Sequence, residues 1–231
     1  MGTVKSNKMV ADGIGLLEVE SNQGGKPGQF YMLRAWDNYP LLSRPISIFD
    51  VSDNRISFLY QVVGEGTRRF QELRAGDELH TEGSFGNGFP AVNGSVALVG
   101  GGIGMAPLYY MAKNTPNADV FLGFSQQPYL TEVFLKVSRS LHVEVGGTIL
   151  NGIDFNQYDT VIVCGPHGML KAVQDKHGVH GRHNHVFVSL ENRMACGIGA
   201  CLVCSVKCRD GRKKACTDGP VFPVEEVVFN D

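Results

Sequence analysis

Short segments in which apolar and polar residues alternate occupy 14–19, 29–36, 46–51, 56–63 and 77–82. They are rich in β-branched and aromatic residues, and Pro27-Gly28, Ser52-Asp53-Asn54 and Ala75-Gly76-Asp77 punctuate them, so each predicts a strand. Strands at this spacing predict a small antiparallel barrel, with one short helix over 67–73 inside it. Near Asn93-Gly94 the pattern changes. Residues 95–99 form a continuous apolar run, as a parallel strand buried on both faces requires. Further strands are predicted at 120–124, 143–145, 160–163 and 186–190, and helices at 106–113, 130–137 and 168–176. Strands alternating with helices predict an α/β unit with a parallel sheet. The tail from Glu191 differs again: it is cysteine-rich and ends in a strand-like stretch, 221–229. The expected division is 1–93, 94–190 and 191–231, closely packed because no low-complexity linker intervenes.

Composition narrows the function. Among 231 residues, Lys plus Arg number 21 and Asp plus Glu 23, a net charge of −2, which argues against a nucleic-acid partner. No apolar run approaches the roughly 20 residues of a membrane helix. The first twenty residues lack the charged-then-apolar pattern of a signal peptide, so a cytoplasmic, reducing compartment is expected. Gly2 and Ser6 fit the loose N-myristoylation pattern, which is too short to carry weight. The 29 glycines are clustered, which points to tight loops over ligands.

Cysteine placement carries the most chemistry. Only Cys164 precedes residue 195; Cys196, Cys201, Cys204, Cys208 and Cys216 follow within one short segment. In a reducing compartment these read as ligands or buried thiols. Cys196, Cys201 and Cys204 have the C-x4-C-x2-C spacing of a plant-type 2Fe–2S loop, with Gly197, Gly199 and Ala200 small enough for backbone N–H groups to approach the sulfur atoms. The fourth ligand is Cys208 or Cys216. The bacterial ferredoxin run that would use Cys208 has a Pro after its last cysteine, absent here, so Cys216 is favoured. A structural zinc is the competing reading, but zinc modules usually pair two C-x2-C arms and only one exists here.

Gly100 to Gly104 follow a buried strand and precede a helix, a placement that suits a diphosphate. The sequence is not G-x-G-x-x-G, since Met105, Ala106 and Pro107 come next. Cys164-Gly165-Pro166 follows a later strand, so Gly101, Gly102 and Gly104 would face Cys164, Gly165 and Pro166 across one crevice. Ser125-Gln126-Gln127 offers no cation for a 2′-phosphate, favouring NAD over NADP. His177, His180, His183 and His185 read as a solvated turn rather than a metal site. Lys207, Arg209, Arg212, Lys213 and Lys214 read as an exposed basic hairpin or a docking surface for an acidic partner.

Several motifs together carry a resemblance: Pro27-Gly28-Gln29-Phe30, Arg44-Pro45-Ile46-Ser47-Ile48, Gly64-Glu65-Gly66-Thr67, Gly86-Asn87-Gly88-Phe89, Gly101 to Pro107, Cys164-Gly165-Pro166, Arg193 to Cys201, and Cys216 to Phe222. Over nearly its whole length the chain resembles the ferredoxin reductase-like flavoproteins. Within them it is similar to the iron–sulfur electron-transfer subunits of class B, NAD-dependent dihydroorotate dehydrogenases. The resemblance implies an FAD-binding barrel, an NAD-binding α/β domain and a small C-terminal 2Fe–2S domain. It implies FAD contacts from Arg44, Pro45, Ile46 and Ser47, from Leu59, Tyr60 and Gln61, and from Gly66 and Thr67, the last offering backbone and hydroxyl donors. It also implies an FMN-containing catalytic partner that oxidises dihydroorotate, two copies of each subunit, and electrons passing through the cluster and FAD to NAD in pyrimidine biosynthesis. No acid–base residue is needed for hydride transfer from a flavin. The chain departs from the family at Ser84-Phe85, where Pro-Leu is usual, before a loop expected near the flavin or nicotinamide. Cys208 is an additional cysteine.

Overall fold

The computed structural model describes residues 1–180 and 185–229, without the side chains of residues 179 and 180. Strands β1 (Gly2–Ala11), β2 (Ile14–Glu20), β3 (Phe30–Arg34), β4 (Arg44–Ser52), β5 (Arg55–Gln61) and β6 (Glu78–Phe85) close into an antiparallel barrel in the order β1-β2-β5-β4-β3-β6. Strand β1 lies outside the expected set. Its burial pattern is irregular, and its pairing with β2 shifts register at Val4/Ser6 and Met9/Ala11, which erases the period-two signal. Helix α1 (Glu65–Glu72) inserts Phe70 into the barrel core, edge-on to Tyr60 at 5.8 Å between centroids.

The second layer contains β7 (Val96–Gly101), α2 (Ala106–Asn114), β8 (Asp119–Phe124), α3 (Thr131–Leu135), β9 (Ser140–Val145), β10 (Thr160–Cys164), α4 (His167–His180) and β11 (His185–Ser189). Strands β11, β10, β7, β8 and β9 run parallel in that order. Strand order reverses beside β7, so the loops after β7 and β10 flank the crevice where open α/β sheets bind ligands. No helix joins β9 to β10; two 3-10 turns, Ile149–Gly152 and Phe155–Gln157, take its place. Lys176 of α4 fixes them by donating to the carbonyls of Leu150 and Ile153 while lying over the Phe155 ring.

The tail forms a hairpin, β12 (Ser205–Cys208) and β13 (Gly211–Lys214), and a three-residue strand, β14 (Val221–Pro223). The expected strand over 221–229 stops at Pro223, where Glu226 N–H turns back to the Pro223 carbonyl. Strand β14 pairs antiparallel with β11, so the tail completes the edge of the α/β sheet. The three units share their cores. Phe30 and Met32 of the barrel pack in one cluster with Val161 and Val188 of the sheet and with Cys204, Val206 and Phe222 of the tail. Ile14, Phe49 and Leu59 pack in another with α2. Phe49 stacks on Tyr109 at 4.5 Å, and Lys113 of α2 bridges Asp50 at 2.9 Å. Among the described residues no helix is long and apolar enough to cross a membrane.

Candidate flavin, nucleotide and iron–sulfur sites

A cleft of about 320 Å³ opens between the barrel, the turn after β7 and the segment around 189–194. Arg44, Pro45, Ile46 and Ser47 enter it from β4, and Leu59, Tyr60 and Gln61 from the neighbouring β5. Arg44 lies over the Trp36 ring, 5.4 Å from its centroid. Its guanidinium reaches Gly66 at the first turn of α1, where an added Cβ would come within 2.6 Å of Arg44 Nε. The one hydrogen bond found for that guanidinium among the described residues goes to the Leu42 carbonyl, which leaves N–H groups for an anion at a helix N-terminus. A diphosphate fits this donor set.

Two expectations change at this cleft. Tyr60 is 1% exposed, and its phenol donates to Asn7 Oδ1 at 3.0 Å within the barrel, so the ring belongs to the barrel core. Thr67 Oγ1 accepts from the N–H groups of Val63 and Gly64 and donates to the Gly64 carbonyl. Its hydroxyl caps α1 and is not a free donor, so an anion there would meet backbone N–H groups instead.

A second cleft, about 400 Å³, opens beyond the sheet's strand ends. Gly101, Gly102 and Pro166 line it, together with Ser125, Gln126 and Gln127. The glycines divide their work. A Cβ at Gly104 would stand 2.5 Å from the Cys164 carbonyl oxygen, and one at Gly101 2.6 Å from Met169 Sδ, so these two let the loops after β7 and β10 close on each other. Gly165 sits at this junction, its Cα 2.7 Å from the same Gly104 position. Gly102, at φ +53°, instead faces open space. Cys164 lines the first cleft, but it is 2% exposed and burial pushes its thiol far up, so it packs rather than reacts. Among the described residues no Lys or Arg lines the second cleft, whereas Asp12 of the β1–β2 turn and Glu191 do. Asp12 carries no motif, and its place in the cleft arises only when the barrel docks on the sheet. Gln61, Ile103 and Glu191 line both clefts, which therefore adjoin.

The cysteine loop lies against β3 and β6 of the barrel, where a Cβ at Gly197 would stand 3.0 Å from Met32 and 3.4 Å from Phe85. Gly197 and Gly199 adopt φ of +72° and +79°, turning N–H groups inward. The N–H of Cys201 points at Cys196 Sγ at 3.4 Å, and that of Gly199 at Cys216 Sγ at 3.2 Å. Cys204 Sγ and Cys216 Sγ are 3.2 Å apart. Backbone N–H groups, that of Ile198 foremost, lower the Cys196 thiol to about 6. Cys216 moves upward because it is buried and stands beside Cys204. The thiols thus form two pairs. No three His, Cys, Asp or Glu residues among those described close around a single ion. Two thiol pairs with inward N–H groups suit a two-iron cluster. Cys208 is buried in β12 and bridges Val227, and among the described residues it makes no hydrogen bond to the four.

The remaining expectations divide. Residues 205–214 form the basic hairpin, but Lys213 is tied to Glu226 at 2.5 Å and Asp210 at 3.5 Å, leaving Lys207, Arg209 and Arg212 as its exposed cations. The Gly86–Phe89 loop, expected near flavin or nicotinamide, lines neither cleft and instead grips the tail at Asp218–Val221. Of the histidine run, His183 and the His180 side chain lie outside the described residues.

Residues 191–228 match the family model for the iron-sulfur cluster binding domain of dihydroorotate dehydrogenase B. The chain is 43% identical to the electron transfer subunit of dihydroorotate dehydrogenase B (NAD(+)) from Clostridium acetobutylicum, covering 99% of this chain and 96% of that one. It is 37% identical to the same subunit from Clostridium perfringens, over 99% and 97%. Among solved structures, an NADH-dependent reduced ferredoxin-NADP oxidoreductase superposes with a TM-score of 0.89 at 25% identity, over 99% of this chain and 90% of that one. A ferredoxin-NADP+ reductase from Plasmodium falciparum, at 13% identity and a TM-score of 0.67 over 81% and 95%, shares the fold. With two adjoining clefts beside a paired-thiol loop, and with that identity over almost its full length, the chain belongs to the family of electron transfer subunits of dihydroorotate dehydrogenase B (NAD(+)).

Proposed function

We propose that this subunit carries electrons from a dihydroorotate-oxidising partner to NAD through three sites in a row. The first cleft takes FAD. Arg44 and the backbone of Gly66 and Thr67 hold the diphosphate, and Pro45, Ile46, Ser47, Leu59, Gln61 and the backbone of Tyr60 form the wall for the ring. The second cleft takes NAD, with Gly102 open to its diphosphate and Gly101, Gly104, Cys164, Gly165 and Pro166 shaping the floor. Cys196, Cys201, Cys204 and Cys216 ligate the 2Fe–2S cluster, and Cys208 is a core thiol. When bound, FAD exchanges hydride with NAD and single electrons with the cluster. The protein sets distance, orientation and dryness, and no side chain is required as acid or base.

One observation supports this reading: the first cleft adjoins the second and is also lined by Met194 and Pro220, which flank the cysteine loop in the chain. Cys216 and Pro220, a residue of the first cleft, are four positions apart, and Gln61, Ile103 and Glu191 join the two clefts. The family's name implies a catalytic partner subunit; we further propose that it carries FMN, that two of each subunit assemble, and that the complex is cytoplasmic. The units 1–93, 94–190 and 191–231 then correspond to FAD, NAD and cluster functions despite their shared cores. Anaerobically purified protein is expected to contain FAD and two irons per chain, and NADH is expected to bleach both at lower concentration than NADPH. Zinc in place of iron, or absence of flavin, would overturn the reading.

A further inference from the structure

Asn87 occupies a loop of the barrel, yet every hydrogen bond found for it reaches the tail more than 130 residues away. Its Nδ2 donates to the carbonyls of Asp218 at 3.1 Å and Val221 at 2.8 Å, and its Oδ1 accepts from the Val221 N–H at 3.3 Å. Its own N–H donates to the Gly219 carbonyl at 2.6 Å. The segment it grips is one of two short covalent links between the two redox sites, with Cys216 at one end and Pro220 in the first cleft at the other; the second link is Met194 to Cys196.

The grip is anchored on the flavin side. Gln29 Nε2 donates to the Gly86 carbonyl at 2.8 Å, and Phe89 N–H donates to the Pro27 carbonyl at 2.8 Å. Residues 27–29 lead directly into β3, whose Phe30 lines the first cleft and pairs with Ser47. The fit leaves no slack: a Cβ at Gly86 would stand 2.6 Å from Pro220 Cδ, and one at Gly28 would stand 2.7 Å from Phe89 N. On the far side, Leu190 N–H donates to the Pro220 carbonyl at 2.9 Å. Asn87 both donates to and accepts from the tail segment, a pairing that an Asn amide offers from one plane, while Gln29 does the same on the barrel side, donating to the Gly86 carbonyl and accepting from the Lys26 N–H.

We propose that Asn87 is a positioning residue that fixes the Cys216–Pro220 segment, and through it the fourth cluster ligand, relative to the flavin cleft. It touches neither cofactor site itself. Asn87→Ala removes three of the four contacts and leaves the Val221 N–H and two carbonyls without partners. Asn87→Asp keeps the acceptor for Val221 N–H but sets a carboxylate against two carbonyls. The inference rests on the cofactor assignment above and deepens it.

The test uses the holoprotein and three readouts. The first is the rate at which iron passes to a chelator. The second is the electron paramagnetic resonance signal of the reduced cluster. The third is the rate of cluster bleaching after rapid mixing with NADH. Asn87→Ala is expected to release iron about tenfold faster, the factor that roughly one net hydrogen bond supplies. It should also shift the cluster signal and slow cluster bleaching, while flavin bleaching by NADH keeps its wild-type rate. Asn87→Asp is expected to show the same changes, and it serves where the alanine variant fails to fold. Wild-type iron release and an unshifted signal in either folded variant would overturn the positioning role. Wild-type protein whose cluster is not reduced by NADH would instead overturn the underlying assignment.

Discussion

Asp119, at the start of β8, accepts from the Arg139 guanidinium, from Ser140 Oγ at 2.6 Å and from the Tyr158 hydroxyl at 3.0 Å. The Arg139 hydrogen bond is the main reason its carboxyl falls to about 2, and burial opposes it. Tyr158 rises to about 12, chiefly through burial and then through the same carboxylate. The network pins β8, β9 and the entry to β10 at the sheet end away from the clefts, so its role is stability. Because the folded pKa lies below the unfolded one, the stabilisation is complete above about pH 4 and fades as pH falls toward 2. Asp119→Ala is expected to cost about 2–3 kcal/mol at pH 7, since it strands a buried tyrosine hydroxyl and removes a partly buried ion pair. Urea midpoints at neutral pH and near pH 3 check this: the gap between variant and parent should narrow in acid. A constant gap would mean that neutral contacts, not the carboxylate, hold the strands. Single residues of this kind were illegible in the sequence. Asp119 and Tyr158 carry no motif, the Gly86–Phe89 motif says nothing of what Asn87 binds, and the partners of all three lie 20 to 134 positions away.

At the scale of elements, legibility followed local periodicity and spacing. The strands of the barrel and sheet with regular apolar patterns were readable, whereas β1, with its two register shifts, was not. The tail's strand ends at Pro223 although Val227 and Phe229 continue an apolar pattern, because the chain leaves β11 there and Val227 bridges Cys208 of the hairpin instead. The cysteine loop was readable because its spacing is itself the geometry: short steps between Cys196, Cys201 and Cys204 force one turn of chain around one centre. The fourth ligand depended on where the hairpin β12–β13 returns, and the return brings Cys216 to 3.2 Å from Cys204 while Cys208 faces Val227. Cys216→Ser is therefore expected to abolish iron binding with FAD retained, and Cys208→Ser to keep both. Iron and flavin analysis of the two purified variants decides it, and the reverse pattern would move the fourth ligand to Cys208.

Over the whole molecule, the described residues bring two clefts and the cysteine loop together in one chain. The barrel, the parallel sheet and the tail share cores and use the described length, which is why the proposed function assigns the FMN site and dihydroorotate pocket, in a TIM barrel of about 250 residues, to a partner. The cysteine loop faces outward accordingly: Cys201 is exposed, and Ile198, Leu202 and Val203 are 63%, 61% and 53% exposed beside it. Apolar side chains around a ligand loop give a docking patch a dry centre. The exposed cations Lys207, Arg209 and Arg212 stand on the adjoining hairpin, and charges at the rim of an interface act on encounter rate more than on final affinity. Lys213 contributes little to this field, because Glu226 and Asp210 neutralise it. Two outcomes are expected. The isolated chain should oxidise NADH with artificial acceptors but leave dihydroorotate untouched. Charge reversal at Lys207, Arg209 and Arg212 should slow assembly with the catalytic subunit, most strongly at low salt, and leave NADH oxidation by artificial acceptors at its wild-type rate. Dihydroorotate turnover by the chain alone would refute the division of labour. An assembly rate insensitive to both charge and salt would leave the apolar rim around Cys201 as the sole determinant of docking.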